Sequence, residues 1–287
     1  MTAVKEIARR KLSVNARHKI SLLRVKSRMA WPGMGMLPNV LVIGAQRAGT
    51  SSIYRYLGTH PDVFASLRKE VEYFSTRMSM GERWYRAHFP LITRPKVAFE
   101  ATPDYLLHPK AAERAAERIP DLKAVALLRS PITRAFSQYG LQRRLNKEPL
   151  SFIEALQAEP QRIAGDLDRL VADRDHPGIE VRVHGYMERG RYAPQLQRWV
   201  DAVGWDGIHV IRTEDLWADP AGTYTGLLDF LGLRHVMPES LGENFSYVRD
   251  TPKPEKAMPP EAEAYLRQQL QPDIEAGEAM LGRGMGW

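Results

Sequence analysis

The chain has 287 residues, a net charge of +7 at pH 7 and no cysteine, which excludes disulfides, thiolate metal sites and cysteine nucleophiles. Its length and 44% hydrophobic content are sufficient for one large domain. The longest apolar stretches are far shorter than the roughly 20 residues of a membrane-spanning helix, and no secretory signal pattern follows the N-terminus. We therefore expect a cytoplasmic protein.

The positive charge is concentrated at the N-terminus. Residues 1–30 hold nine basic residues against one acidic residue, so the remainder of the chain is close to neutral. A surface that tracks nucleic acid normally spreads its basic residues over the folded domain, and we expect no nucleic-acid partner. We predict a basic extension over residues 1–37, either solvated or in peripheral contact with an acidic membrane, and a single domain over residues 38–287.

Short apolar, β-branched runs alternate with helical patterns along the chain. The predicted strands are 39–44, 96–100, 122–128 and 207–212; the predicted helices begin near residues 50, 132, 220 and 261, and residues 150–203 form a further helical region. Strands that alternate with helices of this length predict an α/β fold in three layers. Its central sheet is mostly parallel, and helices cover both faces.

A loop with two glycines follows the first predicted strand. Gly44 and Gly49 lie five positions apart, and hydroxyl residues open the next helix. Backbone amides and a helix N-terminus favour an anion, so the segment predicts a P-loop-like phosphate-binding turn rather than an ordinary glycine turn. The residues predicted to contact the anion are Arg47, Ala48, Gly49, Thr50, Ser51 and Ser52.

This loop departs from the nucleotide-triphosphatase pattern. That pattern has a lysine after the second glycine and an acidic residue at the end of a later strand to hold Mg²⁺. Here Thr50 follows Gly49, the cation lies at Arg47, and Arg129 follows the strand 122–128. A ligand with two separated anionic groups fits this arrangement. The eight histidines show no paired metal-ligand spacing, so we predict no metal site. A small-molecule kinase is the alternative function.

Five segments in order resemble those of the sulfotransferases that use 3′-phosphoadenosine 5′-phosphosulfate (PAPS). They are residues 44–53, 69–74, 100–105, 128–139 and 190–199. The resemblance is to the branch that contains the heparan-sulfate N- and 3-O-sulfotransferases and their bacterial relatives, and it spans roughly residues 38–235. It implies transfer of a sulfuryl group to a hydroxyl or amine of a carbohydrate, glycolipid or small metabolite. Adenosine 3′,5′-bisphosphate is then the second product.

The resemblance also implies roles for individual residues. Arg129 and Ser137 would hold the 3′-phosphate of the donor, which agrees with their spacing from a strand end to the second turn of a helix. Glu70 would be the base that takes the acceptor proton, and Lys69 would bind the donor or the acceptor. A solvated Lys-Glu pair is the alternative for these two residues.

Three further carboxylates and two further cations are weaker candidates. Glu72 and Asp104, then Glu100, are second choices for contacts with the acceptor. Arg249 and Lys253 lie in a proline-rich loop and would close over the 3′-phosphate.

The family usually has a lysine at the position of Arg47. Arginine keeps the positive charge that stabilises the departing phosphate, but it is wider and a poor proton donor. We interpret the site as active with altered geometry. A non-catalytic nucleotide-binding homologue is the alternative.

Overall fold

The computed structural model describes residues 14–31, 35–92, 95–245 and 257–287. Five strands form one sheet in the order β2-β3-β1-β4-β5, and every neighbouring pair is parallel. The strands are β1 Val40–Gly44, β2 Val63–Ala65, β3 Val97–Ala101, β4 Lys123–Leu128 and β5 Ile208–Arg212. Four of them confirm the predicted strands. The prediction omitted β2, because three residues at the edge of the sheet are too few for a recognisable pattern.

Helices surround this sheet. They are α1 Val14–Met29, α2 Thr50–Leu57, α3 Tyr73–Thr76, α4 Glu82–Arg86, α5 Asp104–Leu107, α6 Ala111–Ala116, α7 Pro131–Arg144, α8 Phe152–Arg162, α9 Asp166–Ala172, α10 Ile179–His184, α11 Tyr192–Val203, α12 Thr213–Ala218, α13 Pro220–Leu231 and α14 Pro260–Leu281. Every residue of β1 and β3 is buried, as strands covered on both faces require. The α/β class with a parallel sheet between helices is therefore confirmed.

A second apolar core lies among the helices outside the sheet. It joins α7, α8 and α14 through buried side chains that include Tyr139, Phe152, Tyr186, Leu266 and Leu270. The predicted helical region at 150–203 contains α8 to α11, and α8 contributes to this core. Helices α7 to α10 and α14 form a cap beside the sheet, whereas α11 packs Leu196 and Trp199 into the core on the sheet.

The strand order determines where a ligand can enter. The chain leaves β1 toward β2 on one side of the sheet and leaves β4 toward β5 on the other side. The loops that follow β1 and β4 therefore diverge at their carboxyl ends. In open parallel sheets, ligands bind in the crevice at such a reversal. The glycine loop and Arg129 border this crevice.

Helix α1, inside the predicted basic extension, packs against the domain. Val25 is buried, and Arg28 donates a hydrogen bond of 2.7 Å to the carbonyl oxygen of Phe89. Arg83 donates to the carbonyl oxygens of Met29 and Trp31. Within the described ranges, no helix has both the length and the apolar character that crossing a bilayer requires.

Candidate functional site

The predicted site residues lie just beyond the carboxyl ends of the parallel strands. Arg47 follows β1, Glu70 follows β2, Asp104 follows β3 and Arg129 follows β4. Glu214, which the sequence prediction omitted, follows β5. Because all five strands are parallel, their carboxyl ends lie at the same end of the sheet.

The glycine loop is held tightly between neighbouring elements. A Cβ atom at Gly44 would lie 2.6 Å from Cβ of Leu106, and Gly49 adopts a φ of 94°, which favours glycine. The hydroxyl of Thr213 donates a hydrogen bond of 2.7 Å to the carbonyl oxygen of Ala48. These contacts hold the loop where the chain enters the first turn of α2.

Arg47 connects the two predicted anion positions. Its Nε donates to Oγ of Ser137 at 3.0 Å, and its carbonyl oxygen accepts from Arg129 at 3.3 Å. Burial and the nearby charges of Arg144 and Arg129 lower the pKa of Arg47 to about 10. No carboxylate of the described residues lies within 4.0 Å of its guanidinium nitrogens. The structure thus brings Arg47, Arg129 and Ser137 together.

Arg129 is oriented from several sides. Its Nε donates to Oγ1 of Thr133 at 2.9 Å, and its carbonyl oxygen accepts from the Tyr192 hydroxyl at 2.9 Å. Burial lowers the pKa of Arg129, and the charge of Glu214 opposes that effect. Glu214 also accepts from the amide of Ser130 at 2.9 Å. Glu214 follows a predicted strand directly, so its position at the carboxyl edge was a signal available in the sequence.

Lys69 and Glu70 form an ion pair with a separation of 3.3 Å between Nζ and Oε1. The Lys69 side chain is 4% exposed, whereas that of Glu70 is 35% exposed. Lys69 is therefore not a solvated cation. The geometry fixes one oxygen of Glu70 and leaves the carboxylate open to an incoming group.

Two more carboxylates lie beside Glu70. Oxygen atoms of Glu70, Glu72 and Asp104 are within 4.8 Å of one another. Arg77 donates to Glu72 at 2.9 Å, and Arg182 contacts the second oxygen of Glu72. The two second-choice acceptor residues thus belong to one cluster with the predicted base.

Arginines also hold both oxygens of Asp104. Arg182 contacts one oxygen at 2.7 Å and Arg189 contacts the other at 2.6 Å. Burial alone would raise the pKa of Asp104, but the charges of Arg189 and Arg182 lower it. Glu72 and Asp104 are thus paired with guanidinium groups and Glu70 with the ammonium of Lys69, so the three carboxylates are poor ligands for a metal ion.

Glu100 was wrongly predicted as a contact for the acceptor, because its side chain is completely buried. Its oxygens accept hydrogen bonds from the hydroxyls of Tyr85 at 3.0 Å, Tyr105 at 2.6 Å and Thr102 at 2.6 Å. Burial raises its pKa to about 7. The Thr102 hydroxyl also accepts from the amide of Glu72, so Glu100 supports the segment that carries Glu70 and Glu72.

The remaining two predicted donor contacts, Arg249 and Lys253, lie outside the described residues.

The fold and the charged residues at the carboxyl ends of its strands define an α/β protein with arginines grouped beside a glycine loop. The sulfotransferase domain family matches residues 37–251, and the chain belongs to this family of enzymes. The crystal structure of a sulfotransferase from Alicyclobacillus acidocaldarius is similar, with a TM-score of 0.72 and 29% identity; the match covers 86% of this chain and 97% of that one. The predicted family is therefore confirmed.

Two curated relatives are similar over most of this chain. Heparan sulfate glucosamine 3-O-sulfotransferase 6 of Homo sapiens is 30% identical over 210 residues, which cover 72% of this chain and 56% of the relative. The membrane-associated sulfotransferase kil1 of Dictyostelium discoideum is 26% identical, over 70% of this chain and 57% of its own length. The chain thus spans little more than half the length of these relatives.

Replacement of Glu100 by glutamine is predicted to change how stability depends on pH. The ordinary pKa of 4.5 is raised to about 7 in the fold, so between these values the unfolded chain loses the proton first and stability falls as pH rises. Denaturant unfolding at pH 5 and pH 7 should show a smaller fall for Glu100→Gln. Glu117→Gln, at a side chain that is 58% exposed, is the control. Equal falls in both variants would contradict the assignment.

Proposed function

We propose that the protein transfers a sulfuryl group from PAPS to a hydroxyl, or an amine, of an acceptor. The observation that carries the proposal is the contact of Arg47 with both Ser137 and Arg129, which brings the glycine loop next to the predicted 3′-phosphate position. Two oxyanions of one ligand match this arrangement, because each position offers guanidinium or hydroxyl donors. Family membership supports the same chemistry.

The donor would lie across the crevice with its two phosphate positions separated. The 5′-phosphosulfate would face Arg47 and the first turn of α2, where the helix N-terminus favours an anion. Ser51 is half-buried there, whereas Thr50 and Ser52 are buried and Oγ of Ser52 accepts a hydrogen bond of 3.1 Å from the amide of Phe245. The 3′-phosphate would lie against Arg129 and Ser137. Arg129 is the residue after β4, where a Mg²⁺-dependent kinase would need a carboxylate, so this position favours sulfuryl transfer over the kinase alternative.

The proposed reaction is an in-line displacement at sulfur. Glu70 accepts the proton of the acceptor while the acceptor oxygen forms its bond to sulfur and the bond from sulfur to the bridging oxygen breaks. The electron pair of that bond remains on the 5′-phosphate, where Arg47 stabilises the charge. Lys69 orients the Glu70 carboxylate. The sulfated acceptor and adenosine 3′,5′-bisphosphate balance the reaction.

A carbohydrate, glycolipid or small metabolite is the proposed acceptor class. The names of the heparan sulfate relatives support a carbohydrate. Acidic and basic side chains lie together around Glu70, where the acceptor is proposed to bind. Such a surface suits an acceptor that carries many hydroxyls and some ionic groups.

The exposed side of α1 is the proposed contact with an acidic membrane. Leu23 is 67% exposed and Ile20 is 37% exposed, beside the exposed cations Lys19, Arg24 and Lys26. Apolar side chains next to basic ones match an anionic lipid surface. One relative is named as membrane-associated. The cytoplasmic location, and the division into an extension at 1–37 and one domain at 38–287, stay predictions.

Ligand-induced stabilisation is predicted to depend on the 3′-phosphate. Adenosine 3′,5′-bisphosphate should raise the melting temperature more than AMP or ADP without added metal, because a ligand selective for the native state stabilises by mass action, about 2.7 kcal/mol at 100 times Kd. Arg129→Gln should remove most of the difference between adenosine 3′,5′-bisphosphate and AMP. Differential scanning fluorimetry measures the shifts, and equal shifts from all three nucleotides would defeat the donor assignment.

Glu70→Gln is predicted to lower turnover by about 100-fold or more, the usual contribution of a general base, with unchanged donor binding. Arg47→Ala should lose turnover, whereas Arg47→Lys should retain it because the charge is kept. Transfer of radiolabel from PAPS to acceptors in a cell extract measures the rate. The control is Glu113→Gln, which removes the carboxylate of an exposed ion pair with Lys110. Unchanged transfer by Glu70→Gln would exclude it as the base.

Vesicle binding is predicted to require the cations of α1. The protein should sediment with vesicles that contain phosphatidylserine and remain in solution with phosphatidylcholine alone, and the bound fraction should fall as salt rises. A variant with Lys19, Arg24 and Lys26 all replaced by glutamine should lose binding. Equal sedimentation with both vesicle types would rule out this contact.

A further inference from the structure

Helix α7 turns one continuous stripe of residues toward the glycine loop. Thr133, Ser137, Gly140 and Arg144 succeed one another at steps of three or four residues, which places them on one face of a helix. Thr133 accepts a hydrogen bond from Arg129, and Ser137 accepts one from Arg47. The first half of this stripe is therefore part of the proposed donor site.

Gly140 leaves room for the Arg144 side chain to lie along the helix. A Cβ atom at Gly140 would be 3.9 Å from an Nη atom of Arg144, which places the guanidinium over the preceding turn. Long side chains on helices point toward the N-terminus in this way. The guanidinium therefore lies toward Ser137 and Arg47 rather than out from the helix end.

The charge of Arg144 is not compensated within the described part of the chain. Its Nε is buried and has no hydrogen-bond partner there, and no carboxylate forms an ion pair with it. The neighbouring Arg143, in contrast, donates to the carbonyl oxygens of Glu148 and Pro149 at 2.9 Å each. Apart from burial, the charge of Arg144 has the largest effect in lowering the pKa of Arg47. The Arg144 guanidinium lies along α7 toward Ser137, which accepts a hydrogen bond from Arg47. Cations on one face of a helix that no carboxylate of the described residues pairs favour an anion beside them.

We propose that Arg144 is a further donor-binding residue, which shares the 5′-phosphate of the donor with Arg47. This inference rests on the proposed function. Arg129 lies near the start of the stripe and Arg144 at its end, so the two residues serve different phosphates of one nucleotide. The anion relieves the repulsion between Arg47 and Arg144, and that relief contributes to affinity.

The test compares two nucleotides on three proteins. Arg144→Gln should bind adenosine 3′,5′-bisphosphate about 10-fold or more weakly than the unchanged protein in isothermal titration calorimetry, the effect of losing one charged hydrogen-bond donor. Its affinity for adenosine 3′-monophosphate, which lacks the 5′-phosphate, should be unchanged. Lys147→Gln removes an exposed cation just beyond α7 and should match the unchanged protein with both nucleotides.

Arg144→Lys provides a second variant that keeps the charge, and it should bind adenosine 3′,5′-bisphosphate more tightly than Arg144→Gln. Equal affinity of the unchanged protein and Arg144→Gln for adenosine 3′,5′-bisphosphate would overturn the inference. This holds also if Arg144→Gln raises the KM for the acceptor, since Arg144 would then contact the acceptor and not the donor. An equal loss for both nucleotides would also overturn it. If the unchanged protein itself does not bind adenosine 3′,5′-bisphosphate, the proposed function fails instead.

Discussion

The like charges of Arg47 and Arg129, which only Glu214 offsets in part at Arg129, are the constraint on which the site depends in the described part of the chain. Arg47 and Arg129 approach from loops that follow neighbouring strands, and the Arg129 guanidinium donates a hydrogen bond of 3.3 Å to the carbonyl oxygen of Arg47. Such a cluster is unfavourable unless an anion is present, because buried like charges repel. The divergence of the chain on either side of β1 and β4 produces the crevice that would admit that anion.

The carboxylates at the same end of the sheet mostly have partners other than Arg47 and Arg129. Glu72 and Asp104 are paired with arginines, and Glu100 is buried under three hydroxyl groups. The charge of Glu214 raises the pKa of Arg129, and Glu214 also accepts a hydrogen bond from the amide of Ser130. This end of the sheet is thus divided into a cationic half at the glycine loop and a half of mixed charge around Glu70. In the proposed reaction, the phosphate-rich donor would bind at the cationic half. The hydroxyl-bearing acceptor would bind at the half of mixed charge.

Local patterns were sufficient to predict the glycine loop, four strands and the position of Arg129, since each depends on a short run of residues. The burial of Glu100 was not predictable, because it depends on hydroxyls from Tyr85 and Tyr105 that reach it only after the chain folds. The hydrogen bond from the buried Tyr192 hydroxyl to the carbonyl oxygen of Arg129 was not predictable either, because it is a tertiary contact. Arg144 was missed for the same reason: its neighbour Arg47 lies far away in sequence.

The guanidinium of Arg182 joins the cap to the sheet, because it leaves α10 and contacts carboxylates from two separate loops. Glu72 and Asp104 are therefore energetically linked through a shared partner. When one carboxylate is removed, the other still pairs with Arg182, and the Gln138 side chain continues to donate to the carbonyl oxygens of Arg182 and Val183. Residues that share a partner in this way contribute non-additively. Two ion pairs of Arg182 thus make the same connection between the cap and the sheet. We expect replacement of either acid to lower stability less than replacement of Arg182.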